Sequence, residues 1–301
     1  MYHEPVLLHE STEGLAIKAE GIYVDATFGG GGHSRAILSK LGDKGRLIAI
    51  DQDEAVKQNL PQDKRLTFVH GNFRWIENYL EYFEIEKVDG ILADLGVSWH
   101  HFSDNSRGFS FMGNEELDMR MNRRAGKTAA DLLETCSAQQ LTDIFRNYGE
   151  LDHASRFASE IIAQRSNCNI RMTQNLVDIC SKFTNRNNRN KVLAQIFQAL
   201  RIEVNDEMGA LTDFLLACSR CIAVGGRLSV ISYHSLEDRL VKNLMKTGNL
   251  EGRIEHDMYG MKPIAWETIN RKVITAADEE TAVNPKARSA KLRIAQRKHD
   301  A

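Results

Sequence analysis

Along the first third of the chain, short unbroken apolar runs alternate with segments whose apolar positions recur three and four apart. The runs are Ile22-Tyr23-Val24, Leu47-Ile48-Ala49-Ile50, Leu66 to Val69, and Val88 to Ala93. Runs this short, apolar on both faces, predict strands buried inside a parallel sheet. Between them Ala36, Ile37, Leu38 and Leu41, a segment at about 53–60, and Ile76, Tyr79, Leu80 and Phe83 carry the helical period. Strand and helix in alternation predict a doubly wound α/β sheet of Rossmann-like type. Residues 4–20, with Val6, Leu7, Leu8, Leu15 and Ile17, predict a short helix packed ahead of the first strand. From 128 to 223 the period stays helical, through Leu132, Leu141, Phe145, Phe157, Ile161, Leu176, Ile196 and Leu200, and no strand run interrupts it. That predicts an all-helical domain inserted between the fourth and fifth strands. The sheet resumes at 225–232, and 284–295 alternates like a final edge strand. The expected division is 1–113 with 208–301 for the sheet domain and 114–207 for the insert.

Composition narrows the class. With 42% hydrophobic and 27% charged residues the chain is globular. It lacks an apolar run approaching the roughly 20 residues that span a bilayer. Met1-Tyr2-His3-Glu4-Pro5 has neither the basic nor the apolar part of a secretory signal, so a cytoplasmic protein with no membrane partner is expected. The five cysteines are scattered and odd in number, which predicts reduced thiols. Cys218 and Cys221 fall in a helical segment without a second pair, so no metal is expected. A net charge of −2 says little, but its distribution is uneven. Arg120, Arg123 and Arg124 cluster, as do Lys182, Arg186, Arg189 and Lys191, and residues 284–301 carry six Lys or Arg against one acid, Asp300. That last stretch, Arg288 included, predicts a basic arm that touches phosphate.

The chemistry starts at Tyr23-Val24-Asp25-Ala26-Thr27-Phe28-Gly29-Gly30-Gly31-Gly32-His33-Ser34, a strand, a glycine loop and a helix start. Glycines let backbone approach a ligand, and a helix start offers unpaired N–H groups to an anion. Asp51 lies at the end of the second strand, 20 residues beyond Gly31, where an acid accepts hydrogen bonds from ribose hydroxyls. Phe73 follows the third strand, placed to lie against an adenine, and Asp94 ends the fourth. Asp25, Asp51 and Asp94 are therefore expected on one rim. A nicotinamide fingerprint would put glycine where Ser34 stands. The D-x-x-x-G-x-G spacing of Asp25, Gly29 and Gly31 instead resembles the S-adenosylmethionine (SAM) loop of class I methyltransferases, with Thr27 where many have another glycine. Acids suit the sulfonium and ammonium of SAM better than a pyrophosphate. A nicotinamide-dependent oxidoreductase is the alternative of another class. Residues 94–121 lack regular periodicity and are rich in aromatics, which predicts a binding loop. After the fifth strand, Ser235 and Asp238 have the spacing of an N-cap and its box, leaving Tyr233 and His234 to face a substrate.

Taken together, DATFGGGGHS (25–34), DLGVS (94–98), RGFSF (107–111), LDMRM (117–121), FQALRIEVN (197–205), GGRLSVISYHSLEDR (225–239) and NPKARSAKLR (284–293) resemble the bacterial 16S rRNA cytosine-N4 methyltransferase family, also called MraW or RsmH. The resemblance runs nearly end to end. It implies a class I methyltransferase with an inserted helical substrate-recognition domain, using SAM to methylate the exocyclic amine of a cytidine in the decoding region of small-subunit rRNA. Its partner would be 16S rRNA or the small ribosomal subunit. The family's cofactor contacts map onto Gly31, Gly32, His33, Asp51, Phe73 and Asp94. A further contact is the glutamine of a DLGVSSxQ pattern, where this chain has Trp99 for the second serine and His101 for the glutamine. Asp94 is the expected acceptor of the N4 proton or an anchor for the cofactor, and both roles stay open. Trp99, Phe109, Phe111 or Tyr233 would stack an extruded base, with Arg120, His234 and Arg288 as further substrate contacts. A methyltransferase acting on DNA or another RNA shares every cofactor argument, and a non-catalytic RNA-binding assembly factor would keep the RNA contacts without the transfer.

Overall fold

The computed structural model describes residues 5–96, 107–124, 126–166, 169–257, 260–261 and 263–299. Trp99 and His101 lie outside them. By its internal contacts the chain divides into two compact units, one made of the segments up to Gly96 and from Met208 on, the other of the segment between.

In the first unit the chain runs α1 (Leu8–Gly14), β1 (Ile22–Asp25), α2 (Gly32–Lys40), β2 (Arg46–Asp51), β3 (Leu66–His70), α3 (Ile76–Tyr82) and β4 (Val88–Asp94). The expected helix near 53–60 is a 3-10 turn, Glu54–Asn59, begun by the Asp53 carboxylate accepting the Ala55 N–H at 3.0 Å. Among the described residues, the sheet has the order β3-β2-β1-β4, then β5 (Ile222–Ser232), β9 (Lys291–Arg297) and β8 (Trp266–Thr268), while β6 (His256–Asp257) and β7 (Gly260–Met261) pair in a separate two-stranded ribbon. The first five strands are parallel, whereas β9 runs antiparallel between β5 and β8. This is the Rossmann-like, mostly parallel arrangement expected from the alternating runs. Strand order reverses at β1, so the carboxyl ends of β1 and β4 flank the crevice where such sheets take ligands.

Burial on both faces explains the unbroken apolar runs. Val24, Ile48, Ile50, Ile91 and Ala93 pack on one face with Ile76 and Leu80 of α3. The same cluster takes Phe214 and Cys218 from α9 (Glu207–Cys221) and Val241 and Leu244 from α10 (Ser235–Thr247). Their neighbours Tyr23, Leu47 and Leu92 pack on the other face with Ile37 and Leu38 of α2. Cys218 and Cys221 are buried packing residues of the first face.

Two details depart from expectation. The final strand lies inside the sheet, not at its edge, because the three-residue β8 pairs with its outer side. Helix α10 is capped by His234, whose ring Nδ1 accepts the Glu237 N–H at 3.4 Å, rather than by Ser235. Asp238 instead takes the Arg293 guanidinium of β9 at 2.6 and 3.1 Å.

The second unit is helical: α4 (Ala129–Thr135), α5 (Ala138–Asn147), α6 (Ala154–Arg165), α7 (Thr173–Ser181) and α8 (Arg189–Val204). Thr128 with Asp131, and Ser137 with Gln140, form capping boxes that start α4 and α5. The core joins Leu133, Leu141, Phe145, Ile161, Leu176, Ile196 and Leu200. It also takes in Phe109, Leu117, Met119 and Met121, so the segment from 107 belongs here. The division therefore falls at Gly96, well before the expected residue 113.

Candidate active site

The glycine loop is braced from below by acids. Asp25 is fully buried, accepting the Ser34 hydroxyl at 2.6 Å and the Thr27 N–H at 3.2 Å, so it ties the end of β1 to the start of α2. Burial raises its carboxyl from an ordinary 3.8 to about 6, with the Asp51 charge adding to the rise. Asp25 is thus a brace beneath the loop rather than an acid on the rim. Asp51 accepts the Gly29 N–H and the Asp53 N–H, each at 2.8 Å. Gly29 and Gly31 sit at φ of 51° and 74°, the left-handed region that favours glycine. A Cβ on Gly31 would also strike the Phe28 ring at 2.7 Å. Helix α2 follows without a side-chain cap, and the N–H groups of Gly32 and His33 have no acceptor among the described residues. Such a start favours an anion.

Above this loop a second group converges. The Asp94 N–H donates to Thr27 Oγ1 at 2.7 Å, which joins the end of β4 to the glycine loop. Its Oδ1 accepts the Tyr233 hydroxyl at 2.7 Å. Its Oδ2 lies 4.0 Å from His33 Nδ1, and the Asp94 side chain is a quarter exposed. Burial pushes the Asp94 carboxyl up to about 7; the Tyr233 hydroxyl opposes the rise, and the charges of Asp25 and Glu237 add to it. The Tyr233 phenol is held well above its usual range, chiefly by burial and then by the Asp94 charge. The His33 ring is buried, which lowers it to about 4 and keeps it neutral at pH 7. Its Nε2 lies 3.2 Å from the Val6 carbonyl and donates to it, so Nδ1 is left an acceptor.

Two residues of this group escaped sequence reasoning. Glu237 is buried and accepts the Tyr233 N–H at 2.8 Å, fixing the backbone that carries the phenol. Its signal was position, three residues beyond His234. Thr27 was visible as a departure from the glycine usual there, and its hydroxyl is what receives Asp94.

The remaining candidates scatter. Phe73 is half-buried, begins a 3-10 turn capped by Asn72, and packs edge-on against Phe214 with centroids 5.1 Å apart. Gln52 Oε1, next to Asp51, accepts from the Asn72 amide at 3.1 Å, so the ends of β2 and β3 are joined. His234 is turned to the α10 cap, 3.2 Å from Glu237. Phe109 is buried in the helical core, which makes it packing rather than a stacking surface; Phe111 packs against Phe197 there. Arg120 is held by Asp118 through two contacts of 2.7 and 3.0 Å. Arg288 is exposed on a 3-10 turn, Pro285–Ser289. The expected basic arm is largely neutralised: Arg293 and Lys291 meet Asp238, Lys298 meets Glu267 at 3.3 Å, and Arg297 is buried over Trp266.

Residues 1–298 match the model of a family described as the MraW methylase family. A curated "Ribosomal RNA small subunit methyltransferase H" from Parabacteroides distasonis is 52% identical over 297 residues, 98% of this chain and 97% of the relative. A protein of the same name from Bacteroides thetaiotaomicron is 52% identical over 297 residues, 99% of this chain and 98% of the relative. A solved rRNA methylase from Streptococcus thermophilus aligns over 99% of both chains at 12% identity and a TM-score of 0.44.

Proposed function

This chain belongs to the MraW methylase family, and from that premise we propose that it transfers a methyl group from SAM to the N4 amine of a cytidine in the decoding region of 16S rRNA. The observation that carries the assignment to this site is the convergence of Asp94, Tyr233 and His33 over an uncapped helix start, at the point where strand order reverses. SAM, when bound, supplies the methyl group. The residues present fit it. Unpaired N–H groups of Gly32 and His33 suit a carboxylate, and Asp51 at the end of β2 suits ribose hydroxyls. His33 Nδ1, the acceptor of a neutral ring, suits a cationic donor such as an ammonium. Phe73, in the turn after β3, offers an apolar edge to an adenine.

The protein's own chemistry is positioning and proton transfer. The N4 lone pair of cytosine is delocalised into its ring, so it attacks only when held in line and when its proton has somewhere to go. Tyr233 occupies Asp94 Oδ1 as donor, which leaves Oδ2 as the acceptor for that proton. A carboxyl raised to about 7 is a stronger base than an ordinary one and is still about half ionised in neutral solution. Base extrusion costs a few kcal/mol, roughly matched by one or two aromatic stacking contacts. The partner is 16S rRNA, free or within the small ribosomal subunit, and the compartment is the cytoplasm. None of these steps calls for a metal. Among the described residues, no helix is long and apolar enough to cross a membrane.

The test compares methyl transfer from labelled SAM to small-subunit particles, free 16S rRNA and duplex DNA, with the product nucleoside identified by mass. N4-methylcytidine in rRNA is expected. Methylation of DNA alone, or rRNA binding without transfer by a SAM-saturated protein, would overturn the reading. Asp94→Ala is expected to abolish transfer while the protein remains folded, and near-normal turnover by that variant would remove Asp94 from the chemistry.

A further inference from the structure

We propose that the turn joining α7 to α8, with Lys182, Arg186, Arg189 and Lys191, is a docking surface for the phosphate backbone of the RNA substrate. The inference rests on the rRNA reading above and adds where the RNA is gripped. From Ile179 to Ile202 the chain contains no acidic residue. All four cationic side chains are exposed, and none has a side-chain partner among the described residues. Arg156 of α6 adds a further exposed cation, its guanidinium stacked over the Phe183 ring at 4.5 Å, in the same turn.

The turn does not need these charges in order to fold. Its backbone is closed by asparagines: Asn188 Oδ1 accepts the Asn185 N–H at 2.9 Å, and the Asn185 carbonyl accepts the N–H groups of Asn188 and Arg189 at 3.0 Å each. The cations are in fact poorly placed for stability. Helix α8 opens with Arg189, Asn190 and Lys191 and has no acid in its first turn, whereas the positive end of a helix dipole favours acids. Charges that the fold neither uses nor neutralises point to a partner outside it. The other basic segments are largely paired, Arg288 apart. Arg120 is bound to Asp118, and Arg293, Lys291 and Lys298 are bound to Asp238 and Glu267. In a chain of net charge −2, a polyanion is drawn by a local cationic patch rather than by the average.

The experiment uses the full-length Arg186→Gln/Arg189→Gln/Lys191→Gln variant and a 16S rRNA fragment across a salt series. Each lost phosphate contact lowers the slope of log affinity against log salt by about 0.7–0.9, so a slope shallower by about 2–3 is expected, with affinity weaker on the order of tenfold at low salt. The KM for RNA should rise while kcat, SAM affinity and the unfolding transition stay unchanged. Arg186→Lys/Arg189→Lys, which keeps the charge, should retain the wild-type slope. If wild type methylates rRNA and the Gln variant keeps its affinity and slope, the inference fails and the function stands. If wild type neither binds nor methylates rRNA, the function reading fails and takes the inference with it. Loss of affinity for assembled subunits without loss for naked rRNA would identify a protein contact and overturn the phosphate assignment.

Discussion

At the scale of single residues, two carboxyls with similar addresses at strand ends do different work, and pH separates them. Asp94 acts as an acceptor only when ionised, so transfer should rise with pH through about 7. The Tyr233 hydroxyl lowers the Asp94 carboxyl by donating to it, so Tyr233→Phe should move that acidic limb to higher pH. A kcat–pH profile checks this, and a uniform loss of rate with an unmoved limb would leave Tyr233 no role through Asp94. Asp25 makes its statement in stability. Its carboxyl binds a proton more tightly folded, at about 6, than unfolded, near 3.8. Below the lower value its contribution is fully present; it is lost as pH rises through the window to about 6. The loss is on the order of 3 kcal/mol, from about 1.4 kcal/mol per unit. Asp25→Asn keeps a carbonyl for the Thr27 N–H and an amide for Ser34, so denaturant unfolding between about pH 4 and pH 7 should show that loss removed. The role of Asp94, as proton acceptor or cofactor anchor, was expected from the sequence, but that of Asp25 was not: all three strand-end acids were expected on one rim, and only burial, complete for Asp25 and partial for Asp94, distinguishes brace from rim.

At the scale of elements, what could be read was what a short window contains. Strands β3 and β4 fall at 66–70 and 88–94 as expected: β4 because a mostly buried strand is largely apolar and ends abruptly at the polar Asp94, β3 because Leu66, Phe68 and Val69 mark it even though it is a half-buried edge. Strand β8, only three residues long, has no window to read, and missing it turned β9 into an edge. The α10 cap was misassigned by one residue because serine is a stronger cap by type than histidine; the buried Glu237 beneath decides it. The LDMRM segment was seen as irregular, but its brace was not. Asn205, the residue closing α8, accepts the Met121 N–H at 2.7 Å and donates to the Met119 carbonyl at 2.8 Å. Arg107 grips the same loop through the carbonyls of Arg120 and Met121 at 2.8 and 2.9 Å. Partners so distant in sequence leave no local trace. Asn205→Ala strands both backbone groups of the loop, which should cost about 2 kcal/mol. Thermal unfolding and limited proteolysis near residues 119–124 would measure it; unchanged stability would show water replacing the amide.

At the scale of the whole molecule, the division of labour follows from the cores. The sheet unit buries its apolar residues against its own helices, and the helical unit has a separate core. The described residues proposed for the cofactor, Gly31, Gly32, His33, Asp51, Phe73 and Asp94, all belong to the sheet unit, and so does Tyr233. The unneutralised cations of the α7–α8 turn belong to the helical one. A ligand that binds only the folded form stabilises what it touches, by about 2.7 kcal/mol at a hundred times its dissociation constant. Local opening then becomes rarer in that unit, while a unit with its own core keeps its own opening equilibrium. Hydrogen exchange with saturating S-adenosylhomocysteine should therefore slow amides around 25–34, 51–53, 71–75 and 94–96. Peptides from 129 to 204 should be unchanged. Addition of the 16S rRNA fragment should do the reverse at 182–191. Equal protection of both units by the cofactor product alone would mean that their equilibria are coupled, and that RNA affinity is set in part by whether the methyl donor is bound. Measuring RNA affinity with and without the product would then give the size of that coupling.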